Sequence, residues 1–277
     1  MTPVPLHYIW EGPPLGEPVV LSGSLGSNLR MWDPQVSALT AAGYRVLRYD
    51  HRGQGSSPVP TGPYSIADLA GDVVELLDHV GVQRAHFVGL SLGGMVGMWL
   101  AEHAPDRLTS LSLCCTSAEL GPASAWADRA ATTRRNGTRA VSKAVVERWF
   151  TPRWRAVNPQ RVRYYQAMVE DTPAEGYASC CEAIEKMDIA SNLADIDTPT
   201  LVIAAANDPA TPPEHARRIV ANVLGARLEI VSPAAHLASA ECPHTVNPLI
   251  LGHLRASFHA TAIDSPSNSA ICDMWPT

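Results

Sequence analysis

The chain has 277 residues, of which 46% are hydrophobic, and a formal net charge of −6 at pH 7. This length favours one α/β domain with an insertion and a large core. The negative charge argues against nucleic acid or an anionic membrane surface as a partner. The sequence has no apolar run of the roughly 18 residues that a transmembrane helix requires, and its amino terminus lacks the basic and apolar segments of an export signal. We therefore expect a cytoplasmic protein.

Short segments rich in Val, Ile and Leu predict strands that are buried on both faces. A helix is predicted from Ser65 to Val80, with Ser65 and Asp68 forming a capping box at its start. Strands and helices alternate with short turns, which predicts an α/β fold with a mostly parallel sheet flanked by helices. The predicted strands are Glu17–Ser22, Tyr44–Tyr49, Ala85–Leu90, Leu108–Cys115, Pro199–Ala206 and Arg227–Val231.

The alternation stops between about residues 119 and 190, where helical patterns occur without a convincing strand. We predict a helical cap at 119–190, inserted into a core formed by 1–118 and 191–257. Residues 258–277 show no periodicity and are predicted to form a disordered or loosely attached tail. From Glu119 to Gln166 the cap carries ten basic and three acidic side chains. This excess either forms a solvated surface or places one or two cations at a pocket for an anionic substrate.

Six cysteines occur in the chain, and four of them form two adjacent pairs at 114–115 and 180–181. No spacing typical of a zinc site is present, and adjacent cysteines rarely form a disulfide with each other. We expect reduced, mostly buried thiols and no metal site.

The most informative motif is Gly89-Leu90-Ser91-Leu92-Gly93, which follows an apolar strand and precedes a helical segment. This is the pattern of a nucleophile elbow, a sharp strand-to-helix turn that exposes a serine hydroxyl. Small residues are needed two positions before and two positions after the serine. The motif predicts Ser91 as a nucleophile.

A serine hydroxyl needs a base to accept its proton, and the base needs an acid to orient it. In this type of fold the chain order is serine, acid, histidine. Asp208 follows the carboxyl end of the strand at 199–206, and His236 follows the next strand, so both are predicted to join Ser91 at one edge of the sheet. Asp195 and Asp197 precede the strand and would lie at the wrong edge. The other late histidines, at 215, 244 and 253, fit this order less well.

An oxyanion hole requires two backbone N–H donors. One is expected from Leu92, which follows the nucleophile, and the other from the loop at 22–26. When the loop is aligned by its downstream tryptophan, Trp32, the predicted donor is the N–H of Leu25, and Ser24 is the second choice.

Taken together, these motifs resemble the α/β-hydrolase fold and, more specifically, the 3-oxoadipate enol-lactonases of bacterial aromatic catabolism. The resemblance covers about residues 19–254, and its cap segments are the most specific because caps determine substrate choice. In this fold, His51 and Arg52 belong to a recurring structural turn, so we interpret them as scaffold. The segments that carry the resemblance are 24–35, 44–50, 62–65, 89–94, 148–152, 176–181, 208–213 and 234–237.

The resemblance implies a hydrolase that opens 3-oxoadipate enol-lactone to 3-oxoadipate in the β-ketoadipate route, through a Ser-His-Asp triad and an acyl-enzyme. It implies a small anionic lactone as substrate and no metal or organic cofactor. Trp126, Arg148 and Trp149, in the cap, are the implied substrate contacts. The oligomeric state stays open.

Two other functional classes remain as alternatives. A general carboxylesterase or a cofactor-free perhydrolase would use the same triad and differ only in the shape of the pocket. A non-catalytic receptor with this fold is less favoured because all members of the triad are present. Dehalogenases and epoxide hydrolases are disfavoured because they use an aspartate where this chain has Ser91.

Overall fold

A seven-stranded sheet forms the centre of the molecule, in the strand order β1-β3-β2-β4-β5-β6-β7. The computed structural model describes residues 1–263, with side chains described for residues 1–257. Strand β1 is antiparallel to β3, and the other neighbouring strands are parallel. The strands are β1 (Tyr8–Glu11), β2 (Pro18–Ser22), β3 (Arg45–Tyr49), β4 (Ala85–Leu90), β5 (Leu108–Cys114), β6 (Thr200–Ala205) and β7 (Arg227–Val231).

Each predicted strand is present within one residue of its expected ends, which confirms the α/β fold class. Every position of β4, β5 and β6 is buried, as expected for central strands covered by helices on both faces. The sequence pattern does not predict β1. This edge strand has only four residues and is partly exposed, so it lacks the continuous apolar run of its neighbours.

Helices cover the sheet, and the best predicted one, α2, begins with a reciprocal capping box. The Ser65 hydroxyl accepts a hydrogen bond from the Asp68 N–H at 3.1 Å, and the Asp68 carboxylate accepts one from the Ser65 N–H at 2.9 Å. The helices are α1 (Asp33–Ala41), α2 (Ile66–His79), α3 (Leu92–His103), α4 (Ala123–Asn136), α5 (Arg139–Trp149), α6 (Pro152–Val157), α7 (Pro159–Asp171), α8 (Ala174–Glu185), α9 (Pro213–Asn222), α10 (Ala238–Glu241) and α11 (Pro243–Ile263).

Helices α4 to α8 follow one another between β5 and β6, in the stretch where a helical cap is expected. Arg134 on α4 binds Glu175 at 2.8 Å and also pairs with Glu182, both on α8. These contacts join the first and last helices of the cap. The cap borders at 119 and 190 stay predictions.

The carboxyl-terminal helix α11 runs to Ile263, so the first residues of the stretch predicted as a tail, from Phe258, continue this helix. The rest of the predicted tail, 264–277, lies outside the described residues. The five cysteines that the structure describes are free thiols, and four of them are buried. Within the described part of the chain, no helix is both long enough and apolar enough to span a bilayer.

Candidate active site

Ser91 lies between β4 and α3 in a strained backbone conformation, with φ 55° and ψ −113°. A non-glycine residue in such a region typically costs about 1–3 kcal/mol and persists only where its surroundings fix it. Here the Ser91 N–H donates to the Cys114 carbonyl at 3.0 Å, and its own carbonyl accepts from Thr116 Oγ1 at 2.7 Å. The next strand, β5, and the turn that follows it therefore hold the sharp turn in place.

The glycines on either side of Ser91 are required by close backbone approaches. A Cβ atom on Gly89 would lie 2.2 Å from the Gly93 carbonyl oxygen, and one on Gly93 would lie 2.1 Å from the Ser22 carbonyl oxygen. Both distances are far below van der Waals contact. The motif therefore has the strand–turn–helix geometry that its sequence predicts.

Asp208 and His236 are joined by a hydrogen bond of 2.8 Å between Oδ2 and Nδ1. Asp208 follows β6 and His236 follows β7, and both side chains are almost completely buried. The Asp208 carboxylate also accepts from the N–H groups of Ala210 and Thr211 at 2.7 and 3.1 Å, and from Thr211 Oγ1 at 2.7 Å. These bonds fix the carboxylate against the imidazole.

Burial alone would raise the pKa of Asp208, but the charge of His236 and hydrogen bonds from His236 and Thr211 outweigh it, so the net pKa is lowered. Asp208 is therefore ionised at neutral pH and can only accept hydrogen bonds. This requires the proton of neutral His236 to sit on Nδ1, which leaves Nε2 with a free lone pair to act as a base.

A cavity of about 480 Å³ opens above this edge of the sheet, and both Ser91 and His236 line it. Its walls include all of the cap residues that the sequence proposes as substrate contacts: Trp126, Arg148 and Trp149. The structure thus brings the predicted nucleophile, base and substrate contacts to one pocket. Asp208 lies behind His236 rather than in the wall.

Two backbone N–H groups near Ser91 are available to a ligand. Among the described residues, neither Leu25 nor Leu92 donates its N–H to a protein acceptor, and Leu92 is the first residue of α3. The N–H of Ser24, the second-choice donor, points to the Met31 sulfur at 3.2 Å, and that of Gly26 donates to Gln54. This arrangement favours Leu25 and Leu92 as the oxyanion donors, and the start of α3 adds a favourable dipole.

Arg129 is a pocket residue that no sequence motif distinguishes from the other basic residues of the cap. It lines the cavity with Arg148, and its Nη2 donates to the hydroxyl of Tyr177. Its Nε atom is buried and has no partner in the described part of the chain. The available sequence signal was that Arg129 lies three residues after Trp126 on α4, because residues at this spacing share a helix face.

The two arginines place positive charge at the pocket. Burial and, to a lesser extent, the charge of Arg129 lower the pKa of Arg148, while Tyr177 opposes this shift. Among the described residues, no carboxylate forms an ion pair with either guanidinium, although Asp128 also lines the cavity. The pocket is therefore suited to a ligand that carries negative charge.

His51 and Arg52 are not among the residues that line the pocket. Arg52 forms a buried ion pair with Asp72, and burial lowers the pKa of His51 to about 4, so its neutral ring donates from Nε2 to the Gly23 carbonyl at 3.2 Å. Their contacts support the interpretation as scaffold. Within residues 1–257, no cluster of His, Cys, Asp and Glu has a metal-binding arrangement.

Two of the three rival histidines engage other partners. His215 on α9 contacts the Ser117 hydroxyl at 2.7 Å, and His253 lies 3.1 Å from the Pro199 carbonyl at the opposite end of β6. Neither one contacts Asp208.

Comparisons with known proteins agree with this fold. A model of the α/β-hydrolase fold family matches residues 17–243. The 3-oxoadipate enol-lactonase 2 of Acinetobacter baylyi is 38% identical over 244 residues, which cover 88% of this chain and 91% of that protein. A putative carbamate hydrolase RutD of Variovorax paradoxus is 36% identical over 241 residues, covering 85% and 91%. The crystal structure of the enol-lactonase from Burkholderia xenovorans LB400 has a TM-score of 0.88 and 38% identity, covering 90% of this chain and 96% of that chain. The chain therefore belongs to the α/β-hydrolase family, and within it to the 3-oxoadipate enol-lactonase family, and is a hydrolase.

Proposed function

We propose that this hydrolase opens 3-oxoadipate enol-lactone to 3-oxoadipate, as a step of the β-ketoadipate route of aromatic catabolism. The observation that carries the proposal is that two guanidiniums, Arg129 and Arg148, lie in the same cavity as Ser91 and His236 and form no ion pair with a carboxylate of the described residues. The substrate is a cyclic ester with a carboxylate side chain, so it needs both a nucleophile and a cationic contact.

In the first half of the reaction, Nε2 of His236 removes the proton of Ser91 while Asp208 stabilises the imidazolium that forms. The serine oxygen attacks the lactone carbonyl, and the oxyanion accepts hydrogen bonds from the N–H groups of Leu25 and Leu92. The ring C–O bond then breaks. Its oxygen is a good leaving group because it departs as an enolate oxygen, and the imidazolium of His236 gives it the proton taken from Ser91, so that His236 is neutral again. The resulting enol tautomerises to the ketone, and the opened chain stays attached to Ser91 as an ester.

In the second half, His236 removes a proton from a water molecule, and the resulting hydroxide attacks the ester carbonyl at the same position. The oxyanion again occupies the hole formed by Leu25 and Leu92. Collapse of this intermediate returns the proton to Ser91 and releases the dicarboxylate product. The chemistry requires no group beyond these side chains and backbone amides.

The charges of the cavity also support an anionic substrate over a neutral ester. A hydrogen bond to a charged group contributes about 1.5–3 kcal/mol, which corresponds to roughly 10- to 150-fold in affinity. Trp126 and Trp149 add apolar surface to the wall of the same cavity.

Charge-neutralising variants test this substrate class. We expect Arg148→Met and Arg129→Met each to raise KM for the enol-lactone about 10- to 100-fold, because each loses a charged hydrogen bond, while kcat/KM for 4-nitrophenyl acetate changes less than about threefold. Arg135→Met is the matched control, since Arg135 lies exposed on the same helix as Arg129. Equal losses for the lactone and the neutral ester, or equal effects of Arg135→Met, would contradict the proposal.

A carbamate or a simple carboxylic ester is the competing substrate class. The similarity to a putative carbamate hydrolase favours testing a carbamate, and the shared triad favours testing a simple carboxylic ester. A cofactor-free perhydrolase would use the same serine. Parallel assays with a carbamate, 4-nitrophenyl acetate and the enol-lactone rank these classes by kcat/KM, and our proposal requires the lactone to rank first.

A further inference from the structure

We propose that Gln54 and Tyr177 are positioning residues that hold Gly26 from two sides and thereby fix the neighbouring N–H of Leu25 in the oxyanion hole. This inference rests on the proposed serine-hydrolase mechanism, but not on the identity of the lactone.

Gln54 holds the loop through a hydrogen bond to its backbone. Its side chain is buried, and Oε1 accepts the N–H of Gly26 at 2.5 Å. The turn that carries Gln54 is itself fixed, because the Gln54 N–H donates to His51 O at 3.0 Å and the Gly53 N–H donates to Pro58 O at 2.8 Å. The acceptor for Gly26 therefore belongs to a rigid part of the core.

Tyr177, on cap helix α8, holds the same residue through packing. The Tyr177 side chain is fully buried, and a Cβ atom on Gly26 would lie 2.8 Å from its Cε2 atom. The preceding residue, Gly176, approaches Gly53 so closely that a Cβ on Gly176 would lie 2.0 Å from the Gly53 carbonyl oxygen. Cap helix, structural turn and oxyanion loop thus meet at one point.

This support matters because Gly26 has a φ of +77° in the left-handed region, which glycine can enter and leave at little cost. Fixing its N–H fixes the plane of the Leu25–Gly26 peptide and, with it, the position of the Leu25 Cα atom. The Leu25 N–H belongs to the preceding peptide, whose Ser24 carbonyl accepts from the Ser27 N–H at 3.2 Å and from Ser27 Oγ at 2.7 Å, so the peptides on both sides of Leu25 are held. An oxyanion donor must be placed accurately before the reaction starts, and an error of about 1 Å can cost roughly 100-fold in rate.

Tyr177 has a second contact that separates two effects in an experiment. Its hydroxyl accepts from Arg129, whereas its ring packs on Gly26. Removing only the hydroxyl should weaken binding of an anionic substrate, and removing the ring should slow formation of the oxyanion.

The test compares wild type, Gln54→Met and the matched control Gln166→Met. Gln166 lies in the cap, where its side-chain amide bonds to Glu170 at 2.8 Å, and it is not a residue of the cavity wall. Two readouts are measured: kcat for 4-nitrophenyl acetate, and the inhibition constant of a trifluoromethyl ketone. The serine hydroxyl adds to this ketone, its proton passes to His236, and the ketone oxygen becomes an oxyanion in the hole.

We expect Gln54→Met to lower kcat and ketone affinity by the same factor, about 10- to 100-fold, with KM for the ester unchanged within about threefold. Gln54→Glu keeps an acceptor oxygen and should recover most of the loss, whereas Gln166→Met should match wild type. A structural defect alone would not lower these two quantities in parallel at constant KM. Unchanged ketone affinity in folded Gln54→Met would overturn the proposal, and so would an equal loss in Gln166→Met.

Tyr177→Leu and Tyr177→Phe provide an independent test if Gln54→Met does not fold. Tyr177→Leu should lose ketone affinity, and Tyr177→Phe should keep it while raising KM for the anionic lactone. Equal ketone affinity in Tyr177→Leu and wild type would overturn the proposal. The ester and the ketone carry no carboxylate, so a wild-type enzyme inactive on the enol-lactone would refute the proposed substrate without affecting this test.

Discussion

Replacing Arg52 with methionine should destabilise the protein strongly while leaving its chemistry nearly intact. Arg52 donates from Nε and Nη2 to the two oxygens of Asp72, each at 2.5 Å, and both side chains are only 1% exposed. The pair lies between the turn after β3 and helix α2. It does not line the cavity.

Removing one partner of a buried ion pair typically costs about 3–5 kcal/mol, because the other charge stays buried without compensation. For a protein of this size that corresponds to a decrease in Tm of about 10 °C. Burial already raises the pKa of Asp72 despite hydrogen bonds from Arg52 and Val4. In Arg52→Met the pKa of Asp72 must rise further. Asp72 therefore keeps its proton in the folded variant at pH values above about 4, where the unfolded chain loses it. The destabilisation should therefore be smaller at pH 5 than at pH 8.

Urea denaturation at both pH values measures this effect, and 4-nitrophenyl acetate hydrolysis measures the activity of the folded fraction. The double variant Arg52→Met with Asp72→Leu removes both charges and should recover most of the lost free energy of unfolding. We expect kcat/KM of folded Arg52→Met within about threefold of wild type. Loss of activity at unchanged stability would refute the scaffold interpretation and make Arg52 a functional residue.

Three further predictions follow from the site and the core. Asp208→Asn should lower kcat about 10⁴-fold with KM little changed, because the imidazole of His236 loses its preferred tautomer. Steady-state kinetics measure this effect, and a loss of kcat below tenfold would contradict the prediction. Gly89→Ala should prevent folding or abolish activity, since its Cβ would lie 2.2 Å from the Gly93 carbonyl oxygen; soluble, fully active protein would show that the turn can relax. Burial, with smaller effects of neighbouring carboxylates, raises the pKa of Glu102 from 4.5 to about 7, so the free energy of unfolding should fall as pH rises through this window. Glu102→Gln should flatten that slope in urea titrations, and an unchanged slope would show that Glu102 titrates normally.

The features that the sequence predicts well depend on local backbone requirements. The strand before Ser91 and the small residues around it must occur together in the chain for the turn to form, so the motif can be recognised without a structure. Asp208 and His236 can be placed because each follows the carboxyl end of a predicted strand, and those ends share one edge of the sheet.

The features that the sequence does not predict depend on contacts between distant elements. Arg129 is one basic residue among many in the cap, and only the packing of α4 against α8 brings it to the pocket beside Arg148. Gln54 and Tyr177 lie more than 100 residues apart, and no periodicity links either one to Gly26. Their relevance appears only when the cap is folded over the sheet.

The most direct test of the account follows the ultraviolet absorbance of 3-oxoadipate enol-lactone with purified wild type and Ser91→Ala under identical conditions. We expect rapid loss of the lactone with wild type and no loss above the uncatalysed rate with Ser91→Ala, because the acyl-enzyme cannot form without the serine oxygen. Equal turnover by both proteins would contradict Ser91 as the nucleophile. Failure of wild type to open the lactone, with activated esters still cleaved, would contradict the proposed substrate.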